Sequence, residues 1–267
     1  GDSQSLDWYK SMRCLLTDFL ADKTVIAERM AQDDPELEQQ LLDSVFRAPG
    51  VPIKANAGQM PSCTTLIGGS RVCNVRVNLL RHFTEHFLPH RELFGVDRDD
   101  IVVFNMGIWH KREHGWSRGW SQAFETYRGD YESHVKEFVE YYSANKDSLP
   151  RMVWKDTAPQ HGVLQTGLES AVWPHVCQPF DVQLDEQGNL HGLDIETVSA
   201  GWRNTISRPA MEGLGLPYVE TWNETAMLDF MHTKTPDGAY DCSHYCFPGA
   251  RSLWTWKLVE VLNKHGI

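Results

Sequence analysis

Ile101-Val102-Val103-Phe104-Asn105-Met106-Gly107-Ile108-Trp109 is the stretch from which the fold is read. Its first four residues are apolar and lie between Asp99-Asp100 and Gly107, the pattern of a buried strand in a parallel sheet covered by helices. Downstream, Phe124, Tyr127, Tyr131, Val135, Phe138, Val139 and Tyr142 recur at helical spacing and predict a long amphipathic helix over 120–146. A short strand over 151–156 follows, ended by Pro159. Beyond it come a hairpin over 180–191 turning at Gly188-Asn189, a helix over 200–214 interrupted by Pro209, a last strand at Pro217-Tyr218-Val219, and a closing helix over 253–263. Upstream, 72–80 reads as a strand, and 32–62 as a short acidic helix followed by a loop. Leu6, Tyr9, Met12, Leu16, Phe19 and Leu20 mark a first helix after Ser3. Strands alternating with helices predict an α/β fold with a mostly parallel sheet. No repeat or linker divides the chain, so one domain over 1–267 is expected.

The 267 residues carry 25 Lys and Arg against 36 Asp and Glu, a net charge of −11. That balance lacks the clustered cations that neutralise phosphates, so no nucleic-acid partner is expected. No apolar run approaches the roughly 20 residues a membrane helix needs. Gly1-Asp2-Ser3 has neither a basic segment nor an apolar stretch behind it, so any anchor or export signal would lie upstream of this chain.

Six cysteines, Cys14, Cys63, Cys73, Cys177, Cys242 and Cys246, suit two or three disulfides in an oxidising lumen or outside the cell. Cys63 and Cys73 flank two β-rich runs around Gly68-Gly69, which a hairpin would bring together. Asn223-Glu224-Thr225 is a glycosylation sequon and fits the same compartment. A zinc site at Cys242, His244 and Cys246 has poor spacing, and His110 with His114 lacks a third ligand, so no metal is expected.

In such sheets the chemistry lies at the carboxyl ends of strands, and three segments read as loops there. Ser3, before the first helix, has helix-terminal N–H groups near it that favour an oxyanion; the bland reading is an N-cap. Asn105 can donate to a developing negative charge and Gly107 permits close backbone approach, although Asn and Gly also make turns. Asp241, three residues before His244, can orient an imidazole toward a serine hydroxyl.

The order Ser, Asn, Asp, His resembles the SGNH (GDSL-type) hydrolase superfamily. Within it, the chain is most similar to the trichome-birefringence-like polysaccharide O-acetyltransferases and PC-esterases. Gly1-Asp2-Ser3 with Cys14-Leu15-Leu16 is similar to their G-D-S…C-L-L opening. Val103-Phe104-Asn105-Met106-Gly107-Ile108-Trp109 resembles V-F-N-T-G-H-W, and Asp241-Cys242-Ser243-His244-Tyr245-Cys246-Phe247-Pro248-Gly249 resembles D-C-x-H-W-C-L-P-G. Val153 to His161 is a looser match to a segment ending S-P-x-H. The chain departs from the pattern at Gln4-Ser5-Leu6-Asp7, which has no Arg, and at His110, where a second Trp is usual. Gly68 and Gly69 are candidates for the second-block glycine.

The resemblance implies a three-layer α/β/α sandwich whose first strand is truncated. It implies Ser3, Asp241 and His244 as the catalytic triad, and Ser3, Asn105 and Gly107 as oxyanion donors. It further implies disulfides pinning the Asp–His segment, Cys177 with Cys242 among them, while Cys14 or Cys246 would pair with a segment upstream. Trp109, Trp116 and Trp120 are core residues or the wall of a sugar groove, and His161 is a substrate contact or a structural histidine. The expected activity is O-acetyl transfer to a polysaccharide or glycan through an acetyl-serine, with acetyl-ester hydrolysis or silent glycan binding as alternatives. No bound cofactor is implied; the acyl donor would be acetyl-CoA or an acetylated intermediate. The expected location is the secretory pathway, in the Golgi lumen or outside the cell, with membrane attachment only through a segment absent from this chain.

Overall fold

The first helix begins where a carboxylate can cap it. In this computed structural model, which describes residues 1–47, 60–109, 120–159, 161, 177, 183–184, 190–191, 201–234 and 240–267, the Asp2 side chain accepts the Gln4 N–H at 3.0 Å and α1 runs Ser3–Leu15. Contacts divide the chain into two compact units. One is Gly1–Trp109 with His134–Val153, the other His110–Ser133 with Trp154–Ile267.

In the first unit, α1 buries Gln4, Trp8, Tyr9 and Ser11. The predicted stripe fails beyond it. A 3₁₀ turn at Thr17–Phe19 redirects the chain, and Phe19 is left 60% exposed. Strands β1 (Glu28–Arg29), β2 (Ser62–Thr65) and β3 (Arg71–Asn74) form an antiparallel sheet in which Cys63 faces Cys73 and is joined to it by a disulfide. Gly68 and Gly69 turn this hairpin with φ of +92° and +88°, values that L side chains rarely adopt. The strand expected over 72–80 stops at Asn74. Beyond it, the Gly1 nitrogen donates to the Val75 carbonyl at 3.0 Å and the Val77 N–H donates to the Gly1 carbonyl at 2.9 Å. That alternation is the bonding pattern of a parallel strand pair.

Helix α2 (Pro35–Leu41) starts at the Asp34 cap, and α3 (Leu80–His82) leads through tighter and wider turns to Phe94. Phe83 stacks on Phe104 of β4 (Ile101–Phe104) at 4.9 Å, and Phe104 meets Phe138 at 5.1 Å. Phe87 and Phe94 extend the cluster at 4.9 Å. Such ring pairs contribute about 0.5–1.5 kcal/mol each beyond their buried area. Strand β4 was expected to be wholly buried, but only Phe104 is; Ile101, at the start, is exposed.

Helix α4 (Trp120–Asn145) and strand β5 (Arg151–Lys155) contribute residues to both units. In α4, Tyr127, Tyr131, His134, Val135 and Phe138 form a buried stripe at helical spacing. Strands β4, β5 and β8 (Tyr218–Val219) form a three-stranded sheet, with β5 and β8 parallel through Trp154↔Tyr218 and Lys155↔Val219. The fold is mixed α/β.

In the second unit, β6 (Gln183–Leu184) and β7 (Leu190–His191) make the predicted hairpin, whose Gly188-Asn189 turn lies outside the described residues. Helix α5 (Gly201–Gly213) contains Pro209, and α6 (Trp222–Thr225) is one turn. The strand predicted at Pro217-Tyr218-Val219 forms as β8 over Tyr218–Val219 but is not the last. Strands β9 (His232–Lys234) and β10 (Tyr240–Tyr245) pair antiparallel after it, and α7 (Gly249–His265) closes the chain. The core includes a buried charge pair. Lys155, 2% exposed, lies 4.1 Å from the centre of the Trp254 ring and donates to the Asp156 carbonyl at 2.9 Å. The Asp156 carboxylate accepts the Thr221 and Trp222 N–H groups at 2.8 and 2.7 Å, the donors at the start of α6.

Candidate active site

The residues singled out in the sequence fall in both units: Ser3, Asn105, Gly107 and Trp109 in the first, His161, Asp241 and His244 in the second.

In the first unit, Asp2 performs the capping, so Ser3 is the first helical residue rather than the N-cap. It is half-buried at the end of α1 where the N–H groups converge and the helix dipole is positive. The neighbouring glycine has a packing reason. A Cβ on Gly1 would lie 2.4 Å from the Ser5 Cβ and 3.3 Å from the Asn105 carbonyl oxygen. The structure therefore brings Gly1 against Asn105, 104 positions away in the chain. Asn105 is 3% exposed, and the segment holding it is anchored by Met106 and Ile108, both buried. Trp109 is half-buried with the Arg76 guanidinium 5.5 Å from its ring centre. Arg76 also donates to Asn78 at 3.2 Å. Sequence reading passed over Arg76 and Asn78. Their signal is positional, because they follow Val75 and flank Val77, the residues that bond Gly1. Gly68 and Gly69 sit at the hairpin tip, not in that place.

In the second unit, the Asp241 to His244 segment was read as a loop, and the structure corrects this: it belongs to β10. In a regular strand, residues three apart face opposite sides. Here the pairing goes from Asp241↔Thr233 to Tyr245↔His232, so four steps along β10 match one along β9. This bulge lets Asp241 Oδ2 meet His244 Nδ1 at 2.7 Å. Both side chains are 24% exposed, which leaves them accessible to a substrate. The carboxylate accepts the Nδ1–H and thereby sets Nε2 as the basic nitrogen. The Cys177–Cys242 disulfide fastens the bulge. It also removes Cys242 from any metal-ligand set. Cys14 and Cys246 are free thiols.

His161 lies in the interior, 1% exposed, with Nδ1 at 2.6 Å from His232 Nε2 and Nε2 at 2.8 Å from the Ala226 carbonyl oxygen. Of its two readings, the buried structural one matches this placement. Burial holds its imidazole below the ordinary value, and burial together with the neighbouring His161 pushes His232 down to about 4. His232 was not singled out in the sequence. Its segment, His232-Thr233-Lys234, has no apolar alternation to betray a strand.

The second unit also holds a cavity of about 270 Å³ lined by Asn204, Arg208, Tyr218, Glu220, Trp222 and Asn223 among others. Arg208 is paired there with Glu220 at 2.9 Å and lies 5.4 Å from the Tyr218 ring centre. His110, His114 and Trp116 lie outside the described residues, as does the side chain of Trp120. No protein-family model and no curated protein sequence matches the chain.

Proposed function

We propose that this protein performs acyl-ester chemistry on carbohydrate, as an O-acetyltransferase acting through an acetyl-serine. His244 Nε2 takes the Ser3 hydroxyl proton as the oxygen attacks the acetyl carbonyl, and the imidazolium is stabilised by Asp241. The Ser3 N–H, Asn105 and the Gly107 backbone stabilise the tetrahedral oxyanion; one such donor is worth roughly 3 kcal/mol of barrier. His244 then returns the proton to the departing group; in the second half it takes the proton of a sugar hydroxyl that attacks the acetyl-serine and returns it to the Ser3 oxygen as that bond breaks. The proposal goes with a three-layer α/β/α reading of the fold.

One observation carries the reading: the 2.7 Å Asp241–His244 contact, made on a strand bulge and braced by the Cys177–Cys242 disulfide. A carboxylate bound to Nδ1 is what a general base for a hydroxyl requires. The two disulfides are compatible with an oxidising compartment, for which the Golgi lumen is proposed. Among the described residues, no helix is long and apolar enough to cross a membrane.

Hydrolysis uses the same groups and differs only in whether water or a sugar takes the acetyl. The test incubates the protein with an aryl acetate, with and without xylo- or manno-oligosaccharides, and follows acetylated sugar against free acetate. Acetylated sugar that disappears in Ser3→Ala, together with an acetylated Ser3 peptide by mass spectrometry, is the expected result. Free acetate alone would make it an esterase. Sugar binding retained in Ser3→Ala, with no turnover by the unaltered protein, would favour a silent glycan-binding relative.

A further inference from the structure

Behind the Asp241–His244 pair lie two buried imidazoles whose hydrogen bonds do not match their protons. His161 Nε2 is 2.8 Å from the Ala226 carbonyl oxygen, His161 Nδ1 is 2.6 Å from His232 Nε2, and His232 Nδ1 is 3.1 Å from the carbonyl oxygen of His244 itself. A carbonyl only accepts, so each end contact needs an N–H, and the central contact needs one more. Two neutral imidazoles carry two N–H groups between them. The row is therefore one proton short when neutral and complete when the pair holds a single positive charge.

We propose that His161 and His232 form a proton-accepting pair behind His244: the pair takes up one proton in acidic solution, and that proton completes the hydrogen bond to the His244 main chain. In the neutral pair, His161 donates from Nε2 to Ala226 and His232 donates from Nε2 to His161. The contact left without a proton is the longest one, His232 Nδ1 to His244, whose carbonyl already accepts the Thr233 hydroxyl at 3.3 Å. On acidification His232 Nδ1 gains a proton from solvent and donates it to that carbonyl, and the charge is shared across the 2.6 Å contact.

The surroundings are balanced for such uptake. Asp229, from the turn Asp229–Met231, and Asp241, from β10, favour the proton; the His244 side chain, when charged, opposes it. Tyr245 stacks on His232 at 4.3 Å and places a neutral ring there, its hydroxyl donating to the Pro159 carbonyl. The Cys246 thiol donates to the His232 carbonyl at 3.1 Å. Burial of both rings, 1% and 2% exposed, keeps the pair neutral at physiological pH.

The consequence for turnover, unlike the proton uptake, rests on the reading of His244 as general base. A cation held against the His244 main chain disfavours the imidazolium that forms as Ser3 gives up its proton. The acid limb of the rate profile then reflects two protons rather than one.

Long-range proton–nitrogen spectra of ¹⁵N-histidine-labelled protein from pH 7.5 to 3.5 test the pair directly. The expected result is Nε2–H on both rings at neutral pH, followed by conversion of His232 Nδ1 from acceptor to N–H, with the His161 signals moving in step. Two independent midpoints near the ordinary 6.5 would overturn the proposal. So would a His232 that carries both protons at pH 7.5, or one that stays neutral until the protein unfolds. In His232→Gln the amide can still donate to His161 Nδ1 but cannot titrate, so aryl-acetate cleavage should lose the steeper acid limb, its limiting slope falling from two to one. An unchanged slope would refute the link to turnover. Spectra as expected with no ester cleaved by the unaltered protein would leave the pair intact and remove the acyl-transfer reading; the reverse outcome would do the opposite.

Discussion

In the proposed reaction His244 serves as a base only if its Nδ1–H is held, and Asp241, at 2.7 Å, is the group that holds it. Asp241→Asn keeps the shape but offers an amide that stabilises the wrong tautomer. Acetyl-ester turnover should fall by about 10³–10⁴-fold while far-UV circular dichroism stays unchanged. A fall of less than tenfold would mean that His244 is not the base. At Gly1, any side chain meets Ser5 and approaches the Asn105 carbonyl. Gly1→Ala should therefore displace the start of α1 and lower acetyl-ester turnover, measured against the unaltered protein; equal turnover would show that the close packing of Gly1 is not needed. Lys155 and Asp156 illustrate the cost of a buried charge. Burial raises the Asp156 carboxyl above its usual range, against the pull of Lys155 and of the Thr221 and Trp222 donors. Lys155→Met removes the cation and leaves the carboxylate, so chemical denaturation should show a loss of about 3–5 kcal/mol.

Strand β10 brings Asp241 and His244 together through a defect in its own pairing. Without the bulge, Asp241 and His244 would face opposite sides of the β9–β10 ribbon. A bulge in a two-stranded ribbon has little sheet around it to resist rearrangement, and the Cys177–Cys242 bond supplies the constraint. The two disulfides close loops of very different length, with separations of 65 and 10 residues. By chain entropy the longer is worth about 4 kcal/mol and the shorter about 3 kcal/mol. Cys177→Ser should lower the melting temperature more than Cys63→Ser, and only Cys177→Ser should also reduce turnover by freeing the bulge. Equal loss of activity in both variants would show that the bulge does not depend on its disulfide.

At the scale of the molecule, the histidine pair ties stability to pH. Both imidazoles are held below the ordinary value of 6.5 in the folded chain, and His232 is pushed down to about 4 by burial and by His161. Between those values the unfolded chain binds more protons than the folded one, so stability rises with pH. The contribution is complete above about pH 6.5 and is lost as the pH falls toward 4, a change on the order of 3 kcal/mol for His232. Thermal melts from pH 7.5 to 4 should show that decline, and His232→Gln should flatten it. A melting temperature equally steep in the variant would assign the decline to carboxylates instead.

Much of the local structure was legible in order along the chain. The helical stripe from Tyr127 to Phe138 and the Gly68-Gly69 hairpin that joins Cys63 to Cys73 each depend on residues within a few positions of one another. The Asp241–His244 pairing was also anticipated, from a spacing of three. What the sequence by itself determined was therefore the local elements and the kinds of side chain available for chemistry. Only the tertiary structure decided that Gly1 bonds to Val75 and Val77, that the D-x-x-H segment is a bulged strand, and that His161 meets His232 across 71 positions. Those contacts join segments with no periodicity of their own, such as His232-Thr233-Lys234. Their partners are chosen by the closing of long loops around a shared core, an energy that no short window of residues contains.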